Sequence, residues 1–129
     1  MEITLTNLQQ AIVVPSAKAK SLALKASKYL KLPFDEISLV FVGVKRMRTM
    51  NRKFLGHDYV TDVITFDHGE IVICPAVARA NAKRFNNTVD AEILLYVVHG
   101  LLHLAGYDDH APADIKRMRA MEVKLVNLT

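Results

Sequence analysis

The sequence predicts an α+β fold, with one mixed sheet of about four strands, helices packed on it, and a central buried helix over residues 88–105. Three observations carry this expectation. The chain has 129 residues, 51% of them hydrophobic, which is enough to bury a core without disulfides. Segments of strand period and of helix period follow one another in the order βαβαββααα. The stretch "TVDAEILLYVVHGLLHLA" is apolar on almost every side, so a helix there belongs inside the fold. A single domain over residues 1–129 is the natural expectation for this length.

Each element has a local cause. "EITLTN" (2–7) is β-branched and alternating, the pattern of a strand. "PSAKAKSLALKASKYLK" (15–31) places apolar residues at helical spacing behind Pro15 and Ser16, both good starting residues. "EISLVFVGV" (36–44) reads as a buried strand, and residues 45–55 as a short basic helix ended near Gly56. "TDVITFD" (61–67) and "EIVIC" (70–74) are strands joined by the hairpin pair His68-Gly69. "PAVARANAKRF" (75–85) begins a helix on proline. Helix 88–105 has Asn87 or Thr88 as its cap, Asp90 in its first turn and Gly106 at its end. "APADIKRMRAMEVKLVNL" (111–128) is a last amphipathic helix.

The net charge is +4 with a pI near 9.3, and its distribution is uneven. Residues 1–53 carry ten lysines and arginines against three acids, whereas residues 54–129 carry seven against ten. Lys45, Arg46, Arg48, Arg52 and Lys53 cluster within "VKRMRTMNRK". Such a cluster suits a polyanion such as RNA, or simply forms a solvated helix face. The lone Cys74 cannot form an internal disulfide, which points to the reducing cytoplasm. The N-terminus lacks the pattern of a signal peptide, and the longest apolar run, residues 93–98, is too short to span a bilayer.

The chemistry concentrates in "HGLLHLAGYDDH" (99–110). His99 and His103 lie one helical turn apart and share a face. Two imidazoles so placed can chelate one metal ion, and zinc is the usual choice for nitrogen donors with an oxygen or nitrogen third. Gly106 lets the chain turn back, bringing Asp108, Asp109 and His110 into reach as third ligand. Alternatively, the two acids start the last helix and the histidines are satisfied by hydrogen bonds. Three protein ligands would leave a fourth position for water. Gly100 stands where a zinc protease of the H-E-x-x-H type carries its glutamate. The general base of that reaction is therefore missing, which argues against proteolysis.

These residues resemble the H-G-x-L-H-L-x-G-Y-D-H signature of the YbeY family, bacterial metal-dependent endoribonucleases of ribosomal RNA maturation. "MNRKFLGHDYVTDVITF" (50–66) resembles the family's N-x-x-Y-R-x-K-D-x-P-T-D-V-L-S-F stretch, and "GEIVI" (69–73) its G-D-I-V-I. The resemblance implies a YbeY-like metallohydrolase domain with one zinc, or another divalent ion, and single-strand endoribonuclease activity. It also implies maturation of the 3′ end of the small-subunit RNA and ribosome quality control. It gives His99 and His103 as metal ligands and puts Thr61, Asp62 and Val63 on the strand lining the cleft, with Asn51 opening the upstream motif.

Three departures stand out. The family's third histidine position is Asp109 here, with His110 one residue late; Met118 and Glu122 keep the family's downstream spacing if Asp109 is the ligand. Leu55 replaces a family arginine linked to activity, and Arg52, one turn earlier, is a possible substitute. The hairpin before Glu70 is short, and Glu70 replaces an aspartate. The expectation is therefore a metal-dependent RNA phosphodiesterase of the cytoplasm, with ribosomal RNA or the small subunit as partner and no role on membranes or DNA. Asp62 and Asp108 are candidate bases, and Lys45, Arg46, Arg48, Arg52 and Lys53 a cationic track for RNA. Tyr59 and Phe54 are expected mainly in the core, with base stacking as the other possibility. The alternative is a ribosome- or RNA-binding protein with a structural metal and little or no catalysis.

Overall fold

In the computed structural model, which describes residues 1–128, nine elements follow the expected order. They are β1 (Glu2–Asn7), α1 (Ser16–Tyr29), β2 (Glu36–Phe41), α2 (Val44–Leu55), β3 (Val63–Phe66), β4 (Glu70–Ile73), α3 (Pro75–Arg84), α4 (Val89–Leu104) and α5 (Pro112–Val126). The sheet is mixed, in the order β1-β2-β4-β3. β1, β2 and β4 run parallel, and β3 is antiparallel to β4 with Val63 opposite Ile73. This is the α+β layer the periodicities predict. No helix among the described residues is long and apolar enough to cross a membrane.

The alternation along β2 and β4 divides the interior in two. Ile37, Leu39, Phe41, Ile71 and Ile73 point to one face, where α1, α4 and α5 pack. Val40, Val42, Val72 and Cys74 point to the other, where Met47 of α2 covers them. Helix α4 is the centre of the larger core, with Ile93, Val97, Val98, Leu101 and Leu102 fully buried. Burying each such side chain contributes roughly 1.5–3 kcal/mol. An ideal Cβ on Gly100 would lie 2.6 Å from Ile71 Cγ2. The glycine thus lets α4 lie directly on β4, and no glutamate fits there.

Element ends differ from expectation where backbone chemistry intervenes. The strand expected over 36–44 stops at Phe41, because Gly43 caps α2 and Val44 opens that helix. The strand expected from Thr61 starts at Val63. Asp62 is a bend whose own side chain accepts the Val63 N–H at 2.8 Å. Helix α1 ends before Lys31, which takes a left-handed conformation at φ 54°.

Candidate metal centre

Both ends of α4 are built to hold it in place. Thr88 Oγ1 accepts the Ala91 N–H at 3.1 Å, capping its start. At its other end Gly106 adopts φ 94°. The Gly106 N–H donates to His103 O at 3.0 Å and the Tyr107 N–H to Leu102 O at 2.9 Å, the paired bonds of a Schellman turn. The turn folds the chain back over the last helical turn and carries Asp109 above the two histidines.

Three donor atoms meet there. His99 Nε2 and His103 Nε2 are 3.1 Å apart, and Asp109 Oδ2 is 3.7 Å from each. Zinc ligands at about 2.0–2.1 Å in a tetrahedral arrangement sit about 3.3–3.4 Å apart. The triangle therefore fits a single divalent ion, and two imidazoles with one carboxylate leave a fourth position open, as in catalytic zinc sites. His110 lies elsewhere. Its side chain is 89% exposed, and its ring turns to Asp108 at 3.4 Å. Asp108, Asp109 and His110 also lie near one another, but all three are exposed.

Behind the triangle a carboxylate fixes the His99 imidazole. Glu122 of α5 contacts His99 Nδ1 at 2.6 Å. With its proton on Nδ1, His99 turns a lone pair at Nε2 toward His103 and Asp109. Burial works against a charged His99, but the Glu122 hydrogen bond and charge, with Asp62 and Asp109, outweigh it and raise its pKa. For His103, burial and then the nearby His99 lower the pKa, despite Asp109. Asp62, Tyr96, His99, Asp109, Arg119 and Glu122 line a cleft of about 260 Å³. Burial keeps the Tyr96 phenol protonated far above neutrality, and its oxygen accepts from Asn81 at 2.7 Å. Asp62 is held by Val63 N–H and by Thr61 Oγ1, which donates to it at 3.2 Å. The loop leading to Asp62 is clamped by Asn51, whose Nδ2 donates to Tyr59 O at 2.9 Å.

The basic residues are arranged differently. Helix α2 covers the sheet face opposite α4, so the cationic cluster lies across the sheet from the histidines. Lys45, Arg46, Arg48, Arg52 and Lys53 are all exposed. Arg48 Nε is 3.0 Å from Asp58 Oδ1 and Arg52 Nη1 is 3.6 Å from it, so both arginines are engaged by one carboxylate. Phe54 and Tyr59, expected mainly in the core, are 52% and 54% exposed. Phe54 is exposed because α2 buries only Met47 and Asn51 fully, and Tyr59 lies in the loop beyond that helix. Leu55 is exposed as well. The residue that sequence reasoning passed over is Arg119, although it lies three positions from Glu122 on the same helix, spacing that would have flagged it. Glu122 itself was legible only as a spacing marker.

Fold and site together define an α+β protein with a His-His-Asp constellation of the kind that holds one divalent ion. Comparison with known proteins specifies it further. The profile of the family described as endoribonuclease YbeY matches residues 4–129, and the chain belongs to the YbeY family. It is 43% identical over 96 residues to the endoribonuclease YbeY of Thermotoga neapolitana, covering 69% of this chain and 64% of that protein. It is also 43% identical over 94 residues to that of Chlorobium luteolum, covering 67% and 69%. The chain thus spans just under two thirds of the Thermotoga neapolitana relative. A solution structure of a Thermotoga maritima protein superposes with a TM-score of 0.69 at 31% identity, covering 97% of this chain and 87% of that one.

Proposed function

We propose that this chain is a metal-dependent endoribonuclease, a single domain that cuts single-stranded ribosomal RNA in the cytoplasm. Its tasks would be maturation of the small-subunit RNA 3′ end and ribosome quality control. The observation that carries this reading is the triangle of His99, His103 and Asp109, braced by Glu122 and opening into a cleft. Membership of a family whose relatives are named endoribonucleases supports the substrate class.

The residues divide the work. His99, His103 and Asp109 would hold one divalent ion, zinc by donor chemistry. When bound, that ion supplies Lewis acidity toward a phosphodiester and toward water. Glu122 keeps His99 in the tautomer and orientation that ligation needs. Asp62, immobilised at the start of β3 and facing the cleft, is the carboxylate placed to accept a proton. Lys45, Arg46 and Lys53, with Arg48 and Arg52 when released from Asp58, attract the RNA backbone. Exposed Phe54 and Tyr59 offer faces for unpaired bases.

The test is metal content of the pure protein alongside cleavage of a single-stranded ribosomal RNA fragment, with and without chelator. One metal per chain and chelator-sensitive cleavage is the expected result. One metal per chain with RNA binding and no cleavage would instead identify a ribosome-associated binding protein whose metal is structural.

A further inference from the structure

We propose that Arg119, the cationic side chain among those lining the cleft, receives the RNA phosphate there. This rests on the nuclease reading above and names the residue that makes the cleft accept a polyanion.

The cleft is acidic. Asp62, Asp109 and Glu122 all line it, three carboxylates that would repel a phosphodiester. A divalent ion cancels two of those charges, and the approaching phosphate adds one more. Arg119 is the cationic side chain among the residues lining the cleft. It is exposed and has no hydrogen bond or ion pair with any described residue. Its neighbours on α5 are occupied differently. Arg117 pairs with Asp114 at 2.7 Å, and Lys124 lies over Tyr29 at 5.1 Å from the ring centroid. Arg48 and Arg52 are engaged by Asp58 and stand on the other side of the sheet.

Geometry on α5 explains why the guanidinium faces this way. Ile115, Met118, Arg119 and Glu122 form one helical face toward the cleft. Met118 anchors that face in the core, and Glu122 is fixed on His99. Arg119 therefore leaves the helix beside the metal-type triangle with its guanidinium donors unengaged among the described residues. A guanidinium fork can bridge two oxygens of one phosphate, which a lysine ammonium cannot.

The experiment compares wild type, Arg119→Ala, Arg119→Lys and Lys116→Ala, each loaded with zinc. Lys116 is an exposed cation on the same helix that does not line the cleft, so its removal controls for net charge. Binding of a fluorescent single-stranded RNA oligonucleotide is measured across a salt series, together with its cleavage, metal content and thermal unfolding. Arg119→Ala should keep its metal and its unfolding temperature, bind about tenfold more weakly and lose about one unit of salt slope. Arg119→Lys should restore the slope but cleave more slowly than wild type, because the fork is lost. Lys116→Ala should match wild type. If wild type binds RNA and Arg119→Ala behaves as Lys116→Ala does, the role of Arg119 is overturned while the nuclease reading stands. If wild type binds no RNA, both fall together.

Discussion

Gly100→Ala is the substitution that most directly probes how α4 sits on the sheet. On helix propensity alone, alanine in place of glycine should stabilise by about 0.8–1.0 kcal/mol. The structure opposes that gain. The added Cβ would lie 2.6 Å from Ile71 Cγ2, 3.0 Å from Cδ1 and 3.1 Å from Cγ1, whereas carbon contacts are optimal at about 3.5–4.0 Å. Ile71 is fully buried, so any movement of its side chain takes place within the packed core. Overpacking of this kind costs typically 1–3 kcal/mol, so the net expectation is a loss of about 1 kcal/mol. The decisive comparison is a double-mutant cycle with Ile71→Ala, measured by urea denaturation in chelator. Ile71→Ala alone should cost about 2–5 kcal/mol. In that background the three crowding carbons are gone, and Gly100→Ala should recover about 1 kcal/mol. The coupling between the two sites is thus on the order of 2 kcal/mol. If Gly100→Ala stabilises the otherwise unaltered protein, the close approach of α4 to β4 is wrong.

Further outcomes concern the metal centre and the basic surface. Asp109→Ala should lower zinc affinity sharply in a chelator-competition titration while His110→Ala leaves it unchanged; equal losses would mean that the loop rearranges to use the imidazole. Glu122→Gln should weaken metal binding roughly 10–100-fold by loosening His99. In metal-free protein the same variant isolates a pH effect. The raised His99 pKa means that its pairing with Glu122 stabilises fully below the unfolded value of about 6.5 and fades as pH rises through the folded value. Urea melts should therefore show a gap between wild type and Glu122→Gln that is largest in mildly acidic solution, where carboxylates are still ionised, and narrows as pH rises into alkali; a gap that widens over that range would contradict the pairing. Finally, Asp58→Asn should release Arg48 and Arg52 from an exposed contact, raising RNA affinity and steepening its salt dependence with little effect on unfolding. An unchanged salt slope would remove those arginines from the RNA surface.

Much of the fold was legible because period-two and period-3.6 patterns are local. The nine elements appear in the expected order, and α4 is buried as its all-round apolar character requires. Within the site, the shared face of His99 and His103 and the turn at Gly106 were equally local. Boundaries were less legible, because single backbone events decide them. The Asp62 side chain on Val63 N–H delays β3, and Gly43 ends the β2 region early.

By itself the sequence determined which residues were available to each element, and through spacing it placed two imidazoles on one helical turn. Only the tertiary structure decided what meets them. Glu122 is 23 positions from His99 and reaches it because α5 packs along α4. Asp109 rather than His110 faces the histidines because of how the turn after α4 folds back. Arg119 acquires its setting from that same packing. The position of α2 was also a tertiary matter, since amphipathicity says that a helix has a buried side and not which face of the sheet will cover it. The reason is common to all of these. Periodicity reports the orientation of side chains within an element, whereas contact between elements depends on how whole cores close, a sum over residues distant in the chain.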